Sequence, residues 1–248
     1  MIRIFNDLEA LSQAAAEMFV DSADQAISSR GRFSVALSGG HTPRRMYELL
    51  VVHPLREKIQ WEAIHFFWGD ERCVPINDPR SNVLMTRQIL LDRVPVPESN
   101  IHPILGDLPT ALAAVEYETE LRDFFGDQPP IFDLILLGLG ENAHTASLFP
   151  HTSVLDENKH WVEEVYVPEQ SMYRVTLTAP LINQAREVIF LVSGSEKALA
   201  LQNVLEGPYQ PHQFPAQLIR PNGAHPIWLV DEAASHKLTV PVASEITD

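Results

Sequence analysis

Phe132-Asp133-Leu134-Ile135-Leu136-Leu137-Gly138-Leu139-Gly140-Glu141-Asn142-Ala143-His144-Thr145-Ala146-Ser147-Leu148-Phe149-Pro150 is the stretch on which the fold turns. Its opening run, 132–137, is apolar apart from Asp133, the pattern of a strand buried on both faces of a parallel sheet. Two glycines then let the backbone turn sharply at the strand's carboxyl end, and His144 follows within a few residues. In open α/β sheets that edge is where ligands bind. An imidazole there is placed to act as a general base or acid. A loop histidine with no role is the bland alternative, as for most of the ten histidines in the chain.

The same alternation runs both ways from this stretch. Upstream, Leu8, Leu11, Ala15, Met18 and Phe19 recur at helical spacing behind Asn6 or Asp7 as N-cap. Residues 33–37 read as a strand, Pro43 suits the first turn of the helix after it, and 64–68 read as a second buried strand. Helices are expected over 82–91, ended by Pro95 and Pro97, and over 112–125, closed by Gly126. Downstream, 173–178 alternates apolar and polar residues as a half-exposed antiparallel edge strand would. A buried strand at 187–192 leads through Ser193-Gly194-Ser195 into a helix that ends at Leu205, before Gly207-Pro208. A last strand covers 227–230. Alternating strands and helices predict one α/β domain over 1–248, three-layer α/β/α with a mostly parallel, Rossmann-like sheet. The proline-rich tract 207–221 reads as a long surface loop and is the segment from which a lid could be made.

Composition narrows the function. The chain of 248 residues is 45% hydrophobic and 21% charged, ordinary for a globular protein. It has no apolar run of the ~18 residues a membrane span requires, and its N-terminus meets acidic residues at once, unlike a secretory leader. One cysteine, Cys73, permits no intramolecular disulfide, so a cytoplasmic location is expected. A formal charge of −15 argues against nucleic-acid binding. Any anion site must therefore be assembled locally from a few cations and helix N-termini. Spacing of the His-x-x-x-His or clustered Cys/His type is lacking, so no metal is expected. The chain is expected to act as a monomer or small homo-oligomer.

Three loops carry chemistry. Ser38-Gly39-Gly40-His41-Thr42-Pro43 joins a strand to a helix N-terminus, where free N–H groups and the helix dipole favour phosphate. The dipole would contribute roughly 0.3–2 kcal/mol and each charge-assisted bond roughly 1.5–3 kcal/mol. A simple strand-to-helix turn is the competing reading. The loop is neither a P-loop, since no Gly-Lys-Ser/Thr follows, nor a nucleophile elbow, since Ala36 stands where that motif needs glycine. Gly69-Asp70-Glu71-Arg72 and Asp78-Pro79-Arg80-Ser81-Asn82 bring acids and bases to a second strand end, suited to a polyhydroxylated anionic ligand or, more blandly, to solvent. Lys197, in the first helical turn after Ser193-Gly194-Ser195, sits against the dipole and offers another phosphate cation.

In these blocks the chain resembles the 6-phosphogluconolactonases, in the glucosamine/galactosamine-6-phosphate isomerase superfamily. The matching residues are Ser38-Gly39-Gly40 with Thr42-Pro43, Trp68 through Arg72 with Val74-Pro75, Asp78 through Asn82, Phe132-Asp133 through Gly138, His144 through Pro150, Arg174 through Thr178, and Leu191 through Gly194 with Lys197. The resemblance implies cofactor-free hydrolysis of 6-phospho-D-glucono-1,5-lactone, with His144 as general base on water. It implies that Ser38, Gly39, Gly40, His41 and Thr42, with Lys197 and Arg174, hold the phosphate. Arg72 would serve the phosphate or the carbonyl oxygen, and Asp70, Ser81 and Asn82 would meet the sugar.

The chain departs from the family at Asn142-Ala143, where Asp-Gly is usual. Asn142 can orient His144 but brings no charge, so either Glu141 compensates or the step tolerates the loss, with a lower histidine pKa. Ala143 implies that its position does not need a glycine-only backbone. Two alternatives stand beside this reading. One is glucosamine-6-phosphate deaminase-like aldose/ketose chemistry, although that family continues after its histidine with Ile-Ala-Phe-Asn-Glu-Pro. The other is a non-catalytic sugar-phosphate-binding protein.

Overall fold

Each apolar run forms a strand because it is too short to make a useful helix, is bounded by breakers, and has partners that cover both its faces. The computed structural model describes residues 1–221 and 225–239. Its strands are β1 (Ile2–Phe5), β2 (Phe33–Leu37), β3 (Ile64–Trp68), β4 (Asp70–Arg72), β5 (Leu134–Gly138), β6 (Val162–Val167), β7 (Met172–Leu177), β8 (Glu187–Val192) and β9 (Ile227–Asp231). The helices are α1 (Leu8–Arg30), α2 (Thr42–Leu50), α3 (Leu55–Lys58), α4 (Asn82–Ile89), α5 (Thr110–Phe125), α6 (Ala179–Ile182), α7 (Ala198–Leu205) and α8 (Glu232–Ser235). Asp7 is the N-cap of α1, accepting the Ala10 N–H at 2.9 Å.

Six strands form one sheet in the order β1-β9-β8-β5-β2-β3, and every pairing in it is parallel. From β2 the chain steps outward to β3, then returns to the other side of β2 to lay down β5, β8 and β9. The strand order therefore reverses between β2 and β5. The crevice beyond their carboxyl ends is the place where a doubly wound sheet binds ligands. Helices flank this sheet, which confirms the expected α/β/α layering. Asp133, just before β5, accepts from the Ser34 N–H at 2.8 Å and the Ser34 hydroxyl at 2.9 Å, pinning β5 beside β2.

Several expectations need correction. Residues 172–177 do not form an edge strand. β7 is the middle of a second, three-stranded antiparallel sheet in the order β4-β7-β6, and it is buried from Arg174 to Leu177. The apolar/polar alternation is present, but its polar face looks into the protein, where Arg174 and Thr176 meet partners from β4 and from the loop after β5. Strands β1, β4 and β6 had no sequence reading. The apolar run at 132–137 enters the sheet only at Leu134, and α4 stops at Ile89, with Leu91–Arg93 forming a separate 3-10 turn.

The 207–221 tract is a strap, not a free loop. Pro215, Ala216 and Gln217 are buried, the Ala216 N–H donates to the Ala143 carbonyl at 3.0 Å, and the His151 N–H donates to that of His212 at 3.0 Å. It braces the turn that carries His144 from behind and contributes no residue to the lining of the cavity described next.

Candidate active site

Four strand ends build one cavity of about 480 Å³ at the crevice between β2 and β5, within the size range of small-ligand sites. Into it the fold brings Ser38, Gly39, Gly40, His41 and Thr42 from the β2–α2 loop and Asp70 and Arg72 from β4. Asn82 from α4, His144 from the loop after β5, Arg174 from β7 and Lys197 from the turn before α7 complete the set. Thirteen positions were expected to face a ligand or to act behind one, and Ser81 and Asn142 alone are absent from the lining. Ser81 is the N-cap of α4, accepting from the Leu84 N–H at 3.1 Å and donating to Glu71 at 2.9 Å. Asn142 stands behind His144.

The β2–α2 loop has the form its sequence suggests. Gly40 takes φ 95, a left-handed conformation that favours glycine, and α2 begins at Thr42-Pro43 with His41 at its N-cap making no side-chain cap bond. The first N–H groups of α2 are thus left for a ligand. Tyr47, one turn into α2, anchors the loop through its hydroxyl, which accepts from the Ser38 N–H at 3.1 Å and donates to the Ser38 carbonyl at 2.9 Å.

The acidic block divides its labour. Glu71 is turned away from the cavity and buried, accepting from the backbone N–H groups of Arg72, Asn82 and Val83 at 2.7, 2.8 and 2.8 Å. It fixes β4 against the start of α4 and is not available to a sugar. Asp70 lines the cavity, but its Oδ2 already accepts from the Ser147 hydroxyl at 2.6 Å and faces Arg174 Nη1 at 3.3 Å. Arg174 also donates to Gln170, a cavity residue without a sequence signal. Buried and without partners are Arg72 Nε, Arg174 Nε and Asn82 Oδ1. All three belong to cavity residues, and Arg3 Nε and Ser12 Oγ are likewise buried without a partner elsewhere.

His144 is oriented from behind. Its Nδ1 lies 2.5 Å from Asn142 Oδ1, an atom that also accepts the His144 backbone N–H at 3.3 Å. Two donors converge on that atom, so it acts as the amide oxygen and Nδ1 carries the proton. Nε2 is then the lone-pair nitrogen. Burial pushes the imidazole pKa down to about 4; Asp70 opposes that shift, and Arg174, Lys197 and Arg72 reinforce it. Glu141 does not compensate for the missing carboxylate, because it is exposed and faces Lys197, 3.9 Å from Nζ. Ala143 has φ 62. That is a left-handed position that favours glycine without requiring it, and alanine occupies it at a cost of roughly 1–2 kcal/mol.

Ser193 and Gly194 line the cavity near Lys197, held by Asp231 at the end of β9, which accepts from the Ser193 hydroxyl at 2.5 Å and the Gly194 N–H at 3.1 Å. Lys197 is the last residue of a 3-10 turn, Ser195–Lys197, that runs directly into α7, so it stands in the opening turn of that helical segment as expected.

Fold and cavity together define an α/β protein with a cation-lined crevice beside a half-buried histidine. The chain belongs to the glucosamine-6-phosphate isomerases/6-phosphogluconolactonase family, whose sequence pattern matches residues 6–228. It is 46% identical over 222 residues to the 6-phosphogluconolactonase of Synechocystis sp., covering 86% of this chain and 88% of that one. It is 36% identical over 254 residues to the 6-phosphogluconolactonase of Homo sapiens, covering 100% and 97%. The fold superposes on 6-phosphogluconolactonase from Trypanosoma brucei with a TM-score of 0.84 at 29% identity, over 96% of this chain and 98% of that one. The family resemblance read from the motifs therefore holds. Among the described residues no helix is long and apolar enough to cross a membrane.

Proposed function

We propose that this chain hydrolyses 6-phospho-D-glucono-1,5-lactone to 6-phospho-D-gluconate with His144 as general base. The relatives named 6-phosphogluconolactonase over most of its length support the reaction. The observation that carries the mechanism is the Asn142–His144 hydrogen bond, which leaves the basic Nε2 free.

The phosphate would rest on the N-terminus of α2 and the Ser38–Thr42 loop, with Lys197 as counter-charge. Nε2 takes a proton from water as its oxygen adds to C1 of the lactone. Arg72, whose Nε lacks a partner, meets the oxyanion that develops on the carbonyl oxygen, and donors placed there lower the barrier most. When the tetrahedral intermediate collapses, the C1–ring oxygen bond breaks and His144 returns its proton to the departing ring oxygen. The product is the open acid. The lactone is an activated ester, so general-base help of roughly 10²–10⁴-fold and positioning suffice, without a cofactor.

Deaminase chemistry would need a further acid–base group beyond the histidine. Thr145, Ala146 and Ser147 supply no carboxylate, and Ser147 is bonded to Asp70. The discriminating experiment compares acid release from the phosphorylated lactone with ammonia release from glucosamine 6-phosphate. Acid release alone is expected; ammonia release alone would overturn the proposal.

A further inference from the structure

The imidazole of His144 is confined on more sides than Asn142 accounts for. Phe149 stacks on its face, with ring centroids 4.0 Å apart and planes 18° from parallel. Phe149 is 2% exposed and cannot swing away. Along another side lies Gly140, where an added Cβ would fall 2.0 Å from His144 Nδ1 and 2.1 Å from Cε1. Gly140 is not among the residues with positive φ, so its backbone conformation would accept alanine. The imidazole is what excludes a side chain there. Nor can Gly140 retreat, since its N–H donates to the His144 carbonyl at 2.8 Å and its carbonyl accepts from the Ala143 N–H at 2.9 Å.

We infer that Gly140 and Phe149 are positioning residues that close on the His144 ring and hold it in the one pose that aims Nε2 into the cavity. This inference rests on the proposed role of His144 as base. In a chain whose residue 142 has no charge to steer the imidazole, contact does the steering. Gly140 also lines the cavity, but both residues act through the ring, where misplacement by ~1 Å can cost ~10²-fold in rate.

The test uses the full chain with Gly140→Ala and Phe149→Leu, reading kcat and KM for the phosphorylated lactone, the urea midpoint, and the imidazole ¹⁵N–¹H correlations of His144. For folded Gly140→Ala, kcat is expected to fall about 100-fold with KM changed less than about threefold, because the phosphate loop is untouched. The His144 pattern of one protonated Nδ1 and one bare Nε2 is expected to be lost or shifted. Phe149→Leu is expected to lower kcat about tenfold with the same spectral change, and it carries the test alone should Gly140→Ala not fold. A folded variant with kcat within about threefold of wild type, or with reduced kcat and an unchanged His144 spectrum, would overturn the inference. If wild type itself does not open the lactone, the functional reading fails while the spectra still decide whether the ring is held this way.

Discussion

Asn142 Oδ1 lies 2.5 Å from Nδ1 of His144 and accepts the same residue's backbone N–H at 3.3 Å. An amide thus occupies the place where the family usually carries a carboxylate, and it sets the tautomer without stabilising the imidazolium. The imidazole that results is neutral over a wide range of pH.

Its pH dependence follows. Burial holds the His144 pKa at about 4 against the pull of Asp70, so the active, neutral imidazole persists well into mild acid. In wild type, kcat/KM is expected to stay level from about pH 8 to pH 5 and to fall only as the free enzyme protonates near pH 4. Asn142→Asp puts a negative charge at Nδ1 and should move the acid limb up by about 1–3 pH units. Superimposable acid limbs would contradict this account.

Lys197 is the cation expected to answer the phosphate. Its Nζ stands 3.9 Å from the exposed Glu141 carboxylate, a long contact of little strength. Losing a charge-assisted bond of roughly 1.5–3 kcal/mol, Lys197→Ala should raise KM for the phosphorylated lactone about 10- to 100-fold. Turnover of unphosphorylated gluconolactone should change less than about threefold. Equal losses on both substrates would remove Lys197 from the phosphate site.

Asp133 tests the sheet that presents the site. Its carboxylate holds Ser34 through two bonds of 2.8 and 2.9 Å and pairs with Arg30 at 2.8 Å. Asp133→Ala strands those donors and should cost about 2–5 kcal/mol of stability, read as a lowered urea midpoint. A loss below about 0.5 kcal/mol would show that β5 is registered by packing alone.

The parallel sheet was legible because Leu134, Ile189 and their neighbours form short apolar runs between breakers. The crevice was legible because Gly39-Gly40 and Gly138 to His144 punctuate two adjacent strand ends. The small antiparallel sheet was not. β4 is only Asp70–Arg72, three charged residues that no propensity marks as a strand, and β7 buries a polar face that local pattern reads as solvent-facing. Glu71 and Asp70 are neighbours with opposite fates, and only the tertiary placement of α4 separates the anchor from the cavity residue. Gln170 had no signal, since its contact with Arg174 arises from the β6–β7 turn. Ala143 carried no sign of its left-handed backbone: alanine stands at φ 62, and its methyl, 1% exposed in the core, offsets roughly 0.8 kcal/mol of the strain.

Stability should also respond to acid. His65 is held at about 4, first by burial and then by His102 and Arg32, and His144 lies at a similar value. Between the unfolded pKa near 6.5 and the folded value, the unfolded chain binds more protons, so stability is full above that window and declines as pH falls through it. Urea midpoints should drop between pH 7 and pH 5, and by less in His65→Gln. An equal drop in both proteins would rule out His65 as a source.

The most direct test is acid release from fresh 6-phosphogluconolactone at pH about 6, where spontaneous opening is slow, with wild type and His144→Ala side by side. The account predicts turnover by wild type and a loss of about 10²–10⁴-fold in kcat for the folded variant, with KM little changed. Retention of wild-type kcat by His144→Ala would contradict it.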